Sequence, residues 1–376
     1  MHGLMLAFAF SLPYHVMRTA AAAGVRVHVL GNGPSRGLRR SRFCASYQES
    51  RAVPNRDNDA ETILAEIAKL AEQRSIDVVF PSDDVSTRLL ATIRDRLPVR
   101  CGLLPDPITF DLLNNKWNFC RFARDHGARV PETWLCSDAA ELRQALRSGA
   151  LQLPLTFKPI NRSGGFGVVH LKDEADLRLL AGVDYVPILV QRCIAGRTIG
   201  LSVLCRDGQI RMHATQWYDA RRFRLFVNRD LLNNAARVVA AARLDGPAHF
   251  DAILEDGSGL SYIVECNPRF WFSINLPMLC GINFVSAALA RSAASEMVTV
   301  ANAEVCRSSK SLLAGPWRAR RQDWRYLHYK LSDPLAYLSQ RCNTYDDRDI
   351  AVDAARMIEY QPAKNAASQP LSAPAI

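Results

Sequence analysis

Ile263-Val264-Glu265-Cys266-Asn267-Pro268-Arg269-Phe270-Trp271 reads as a β-strand with a polar tip that runs into a turn at the proline. Side chains along a strand alternate with a period of two, so Glu265 and Asn267 share one face. Two oxygen-bearing groups side by side suit a hard cation such as Mg²⁺, which is held by one or two carboxylates together with phosphate oxygens. Asp251 ends a preceding apolar strand and offers a third oxygen. Taken singly, Glu265 could be an exposed strand-end carboxylate and Asn267 a turn cap before Pro268. Arg269 argues against that bland account, because a cation on the same face serves an anion already neutralised in part by metal.

Outward from this strand lie two further segments. Phe157-Lys158-Pro159-Ile160-Asn161-Arg162-Ser163-Gly164-Gly165-Phe166-Gly167 is a strand ending in lysine, followed by a glycine-rich loop. Glycines let backbone N–H groups approach phosphate oxygens, and an ammonium supplies a compact point charge. By itself such a loop is more often a hairpin turn. It is not a P-loop, since the lysine precedes the glycines. Ile188-Leu189-Val190-Gln191-Arg192-Cys193-Ile194-Ala195-Gly196 is an apolar strand entering a short connection. Its backbone groups could read an adenine edge, or it could be any strand and turn.

The order of these segments resembles the ATP-grasp superfamily, in the branch of carbamoyl-phosphate synthase domains and carboxylate–amine ligases. The resemblance covers roughly residues 4–290 and is carried above all by Glu265–Trp271 and the loop after Lys158. Lysine is rare here, with seven in 376 residues. Yet it stands at both positions where the family places phosphate-contacting cations, 116 and 158. The resemblance implies that Lys116 and Lys158 hold the α- and β-phosphates of ATP, while Ser163, Gly164, Gly165 and Gly167 close over the β- and γ-phosphates. It implies that Gln191, Arg192 and Ile194 lie along the adenine, and that Asp251, Glu265 and Asn267 coordinate Mg²⁺, with Mn²⁺ as a substitute. Arg269 and Lys158 would face the transferring phosphoryl group. Thr198, Arg192 and Asn115 depart from the family's usual residues, which bears on nucleotide affinity rather than on the phosphate and metal machinery.

The remainder of the chain sets the frame. Hydrophobic content of 48% and charged content of 22% describe a folded globular protein, which excludes a disordered or coiled-coil chain. A net charge of +10 suits an anionic ligand. In the first hundred residues, strand-like runs (Leu4–Phe10, Val25–Leu30, Asp77–Phe80) alternate with helix-like ones (Pro13–Ala23, Asp59–Gln73), which predicts a parallel sheet. The glycines Gly31, Gly33 and Gly37 follow the second strand. The first turn, Ser11-Leu12-Pro13, has none, so a dinucleotide fingerprint is rejected. Further on, helices are expected over Asp111–Ala123, over Ser137–Arg147 with Ser137 as N-cap, and over Leu231–Arg243. The fold class is therefore α/β and α+β. An N-terminal parallel-sheet domain (1–104) precedes two α+β subdomains that grip ATP (105–291; lid about 115–190, metal-binding part about 191–291). A helical extension (292–376) follows, with a disordered tail from about residue 361. Ten cysteines without a C-x-x-C pair, and no run long enough to cross a bilayer, predict a cytoplasmic protein with reduced thiols.

The chemistry implied is ATP-dependent activation of a carboxylate as an acyl phosphate for attack by an amine or related nucleophile. The alternative is an ATP-binding sensor or scaffold without turnover. The expected partners are a small carboxylate and an amine, and a homodimer is open. Membrane and nucleic-acid partners are not expected, because Arg221-Arg222-Phe223-Arg224 reads more simply as a solvated basic face. Arg222 or Arg224 could alternatively hold an acceptor's carboxylate. His213 and His249 are weighed as bases and read as structural strand residues.

Overall fold

In the computed structural model the described residues are 1–52, 59–162, 164–219, 222–290, 297–299, 302–306 and 319–341. The N-terminal third alternates β1 (His2–Ala7), α1 (Ser11–Ala21), β2 (Arg26–Gly31), β3 (Cys44–Glu49), α2 (Asp59–Arg74), β4 (Val78–Phe80), α3 (Asp84–Ile93) and β5 (Arg100–Cys101). The strands form a wholly parallel sheet in the order β3-β2-β1-β4-β5. Leu4, Met5 and Leu6 on β1 are fully buried, as a central parallel strand covered on both faces requires. Each such side chain contributes about 1.5–3 kcal/mol by leaving water.

After this sheet come α4 (Pro107–Asn114) and α5 (Lys116–Asp125), where one helix over Asp111–Ala123 was expected. The break is Asn115, whose backbone is extended and whose side chain accepts from the N–H groups of Trp117 and Asn118. This cap makes Lys116 the first residue of a new helix.

A four-stranded antiparallel sheet follows, built from β6 (Thr133–Cys136), β7 (Leu155–Pro159), β8 (Val169–Leu171) and β9 (Ile188–Arg192) in the order β6-β9-β7-β8. It carries α6 (Ala139–Arg147). The N-cap of α6 is Asp138, not the expected Ser137: Asp138 accepts from Ala140 and Glu141, while Ser137 donates to the Glu141 carboxylate. A carboxylate one residue nearer the helix reaches its free N–H groups better than the serine does.

The largest sheet has the order β14-β13-β10-β11-β12-β16, from β10 (Gly196–Arg206), β11 (Gln209–Tyr218), β12 (Arg222–Phe226), β13 (Gly246–Glu255), β14 (Ser261–Asn267) and β16 (Glu304–Cys306). β15 (Val298–Thr299) pairs with β11. Helix α7 (Arg229–Ala241) and α5 cover its back with Val238, Val239, Phe119 and Ala123. Its front, through Leu204, Ala214, Phe223 and Leu225, packs into one core with the parallel sheet, α1, α8 (Asn275–Leu279) and α9 (Phe284–Leu289). The segment expected as a helical extension therefore begins with two strands. Helix α10 (Arg321–Leu331) then meets α1, where Arg18 donates to the Tyr329 carbonyl and to Ser332 Oγ at 2.8 Å, and α11 (Pro334–Arg341) packs on the 3-10 turn Arg36–Arg40. The tail from residue 361 lies outside the described residues.

Candidate functional site

Strands β13 and β14 are antiparallel with Asp251 opposite Glu265 and His249 opposite Asn267, so all four side chains share one face. Asn267 Nδ2 donates to Asp251 Oδ2 at 3.1 Å and to Glu265 Oε1 at 3.3 Å, and its Oδ1 accepts from Arg269 Nη2 at 3.1 Å. The three residues expected to hold a metal are thus brought together. The amide presents nitrogen, not oxygen, toward the two carboxylates. Arg269 is buried, donates to the Phe270 carbonyl at 2.8 Å, and forms an ion pair with Asp84 at the start of α3. Burial lowers its pKa to about 10, opposed by the charge of Asp83.

Two ammonium groups converge on the same strand. Lys116, delivered by the Asn115 cap, points Nζ at the Arg162 carbonyl (2.6 Å) and at Glu265 Oε2 (3.4 Å). Lys158, at the end of β7, donates to the Val264 carbonyl at 3.2 Å. Both lysines are buried, whereas the side chains of Glu265 and Asp251 keep 21% and 33% of their exposure, enough to meet a ligand from solvent. Burial pushes the Glu265 carboxyl up, but the charges of Lys116 and Lys158 outweigh it and hold the group below the usual carboxylate range. Asp251 is shifted the other way: burial raises it, His249 opposes, and the neighbouring Glu265 charge adds to the rise. Burial lowers Lys158, with Glu265 pulling against it. Two adjoining carboxylates that cannot comfortably ionise together form a donor set that a divalent cation relieves. Among the described residues no group of three or more His, Cys, Asp and Glu side chains could hold a metal alone. The site therefore fits Mg²⁺ that draws its remaining oxygens from phosphate and water.

Above these lysines runs the glycine loop. Gly164, Gly165 and Gly167 take φ of +73°, +75° and +82°, and a Cβ at Gly167 would lie 2.9 Å from the Tyr185 ring. Tyr185 donates its hydroxyl to the Gly167 carbonyl at 2.5 Å, and Arg162 pairs with Asp184 at 2.7 Å. Ser163, assigned to this loop from sequence, lies outside the described residues.

The adenine-side residues are more mixed. Gln191 is buried with Nε2 directed at Thr133 Oγ1 (3.1 Å) and Cys120 Sγ (3.3 Å). The Arg192 N–H is spent on the Glu132 carbonyl at 3.0 Å, and its guanidinium is exposed beside Glu132. Ile194 lies half-buried in the connection between β9 and β10.

Two features escaped the sequence reading. One is Asp84, which brings the parallel-sheet domain to Arg269. The other is the setting of His249. Its ring stacks on Trp271 (centroids 5.5 Å apart), its Nδ1 meets Ser202 Oγ at 3.0 Å, and its Nε2 lies 3.4 Å from Asp251 Oδ1. Gly200 makes room for it, since a Cβ there would come within 2.7 Å of the ring. The period-two spacing of His249 and Asp251 was the one available signal.

The fold that carries this arrangement has relatives. Residues 113–273 match the family model of an ATP-grasp domain. The chain carries an ATP-grasp domain. Solved structures similar to it include biotin carboxylase from Campylobacter jejuni in a β-γ-ATP complex, at 14% identity over 76% of this chain and 70% of that one, TM-score 0.58. N5-carboxyaminoimidazole synthetase from Staphylococcus aureus complexed with ADP aligns at 13% identity over 80% and 79%, TM-score 0.62. An L-amino acid ligase from Bacillus licheniformis aligns at 17% identity over 77% and 73%, TM-score 0.55. At these identities the likeness establishes the ATP-grasp fold. No curated protein sequence matches the chain. Among the described residues no helix is long and apolar enough to cross a membrane.

Proposed function

We propose that this protein is an ATP-dependent ligase that activates a carboxylate as an acyl phosphate for attack by an amine or related nucleophile, in the carboxylate–amine ligase branch of the ATP-grasp superfamily. The observation that carries this reading is the convergence of two buried ammonium groups, Lys116 and Lys158, on β14 beside the paired carboxylates Asp251 and Glu265. A site that merely retained a nucleotide without turnover has no use for a carboxylate pair held against two lysines. The ligase activity named for the Bacillus relative is in keeping with it.

A carboxylate resists an amine because oxide would have to leave. Transfer of the γ-phosphoryl group to a carboxylate oxygen releases ADP and leaves an acyl phosphate. The amine then bonds to the carbonyl carbon, inorganic phosphate departs, and the nitrogen gives up a proton. Phosphoryl transfer asks for in-line positioning and charge neutralisation rather than a covalent side chain. Lys116 and Lys158 hold the α- and β-phosphates. The N–H groups of the loop through Gly164, Gly165 and Gly167, with Ser163, cover the β- and γ-phosphates and keep water out. Gln191, Arg192 and Ile194 border the adenine, with Ile194 offering its backbone. Arg269, held in place by Asp84, Asn267 and Phe270, faces the migrating phosphoryl group. Asp251 and Glu265 are the residues that would hold Mg²⁺, with Asn267 joining them by turning its amide. Bound there, Mg²⁺ supplies charge neutralisation to the phosphate oxygens.

Incubation with Mg-ATP, hydroxylamine and a panel of carboxylic acids should give acid-dependent hydroxamate and ADP. ATP that binds equally well without Mg²⁺ and yields no hydroxamate across the panel would refute the ligase reading in favour of a nucleotide sensor.

A further inference from the structure

We propose that the back of the large sheet carries a second ligand site, for a small organic dianion, built by Arg197, Trp217, Arg224 and Arg320. Gly200, Gln216 and Leu225 are paired in register with Asp251, so they lie on the front face with Glu265. Arg197, Trp217 and Arg224 occupy the alternate positions of the same three strands and therefore project from the opposite face. There they line an open cavity of about 450 Å³. A β-sheet separates it from the reacting centre, so it is not a part of the ATP cleft.

The cavity's chemistry selects its ligand. Its floor is apolar, from Ile199, Phe226 and Leu254. Its wall is the Trp217 ring, with the guanidinium of Arg197 at 4.7 Å from the centroid and that of Arg224 at 5.0 Å. Cation–π attraction holds both guanidiniums against the ring. Arg224 also pairs with Glu304, whereas Arg197 makes no ion pair among the described residues and can turn its N–H groups to an oxyanion. The one carboxylate in the lining, Glu304, is shared by Arg224 (3.1 Å), Arg320 (3.2 Å) and, from outside the cavity, Arg222. Three lining arginines against one lining carboxylate leave two positive charges unbalanced. A doubly charged head group on a flat apolar body satisfies both halves of the cavity: a phosphate monoester or a dicarboxylate.

The test is calorimetric titration of the full chain, without nucleotide, using phenyl phosphate, phthalate and inorganic phosphate. Phenyl phosphate or phthalate should saturate the protein, and inorganic phosphate should bind more weakly because it leaves the apolar floor uncovered. Whichever of the two aromatic dianions binds tighter names the head group. Arg197→Ala should weaken binding about tenfold or more. Arg197 is exposed and lies against the Trp217 ring, so its replacement should leave the melting temperature and ATP binding unchanged. Lys158→Ala, which alters the ATP cleft, should leave dianion binding intact. The proposal is overturned if neither aromatic dianion saturates at millimolar concentration. It is equally overturned if Arg197→Ala binds as tightly as the parent protein, or if Lys158→Ala abolishes binding and so places the ligand in the ATP cleft.

Discussion

On β14 the polar tip is braced on every side: Asn267 ties Asp251 to Glu265, Arg269 ties Asn267 to the parallel-sheet domain through Asp84, and His249 backs Asp251. The glycine loop above Lys158 is held differently. Among the described residues its ties are at its two ends, where Arg162 pairs with Asp184 and accepts from Lys116 at its carbonyl and the Gly167 carbonyl accepts from Tyr185, with one turn bond between, from the Val168 N–H to the Gly165 carbonyl. Under the proposed function the contrast has a physical logic. Carboxylates that must receive a divalent cation need fixed geometry before ligand arrives, since a misplaced ligand group loses most of its worth. A loop that must admit a triphosphate and then close on it needs few ties.

The largest effect should come from cutting the braced side. Glu265→Ala removes the charge that Lys116 and Lys158 face and one arm of the cation site. Hydroxamate formation should fall by about 10²–10³-fold, the usual consequence of losing one preorganised electrostatic group. Stability should also drop by about 3–5 kcal/mol, because two buried ammoniums lose their counter-charge. A denaturant titration and the rate assay together separate the two effects. Glu265→Gln keeps the shape, and normal turnover in that variant would break the assignment of a charged role to this position.

A smaller and more discriminating effect is expected one layer back. Gly200→Ala places a methyl group within 2.8 Å of both Cε1 and Nε2 of His249, so the ring must shift away from Asp251. Replacing groups that orient metal ligands typically costs about 10–100-fold in metal affinity. The Mg²⁺ concentration for half-maximal ATP turnover should rise by about tenfold, while the far-ultraviolet circular dichroism stays that of the parent. An unchanged Mg²⁺ requirement would mean that His249 is only core packing.

How much of this was visible beforehand differs between the two sides. The carboxylate side was legible because a strand's period-two rule makes Glu265 and Asn267 neighbours, the family resemblance added Asp251 from the adjoining strand, and the lysines stood out by rarity. The parallel sheet was legible from strand–helix alternation. The breaks were less so. Asn115 splits a stretch whose composition is helical throughout, and only its side-chain cap reveals this. Strand β12 hid because Arg222, Phe223 and Arg224 look like a basic loop; Phe223 turned inward and Glu304 on β16 supplied the counter-charge eighty residues later. Long-range partners such as Asp84 for Arg269 leave no local pattern. The strand Ile188–Arg192 was legible as a strand, but the inward turn of Gln191 toward Thr133 depends on its pairing with β6, for which the sequence reading has no strand.

The smallest effect tests the loosely tied side. Tyr185→Phe deletes the hydroxyl that donates to the Gly167 carbonyl at 2.5 Å but keeps the ring against which Gly167 packs. One neutral hydrogen bond is worth about 1 kcal/mol net, so the loop's resting position should weaken by about that amount. If the loop needs freedom to admit ATP and order to hold it, the two consequences oppose each other. ATP association should quicken slightly, dissociation should quicken more, and the KM for ATP should rise about two- to fivefold, within the span that 1 kcal/mol allows. Stopped-flow binding of a fluorescent ATP analogue resolves the two rates. A loss of turnover as large as that of Glu265→Ala would show that the loop is braced as firmly as β14, and the distinction between a fixed carboxylate edge and a yielding phosphate cover would fall.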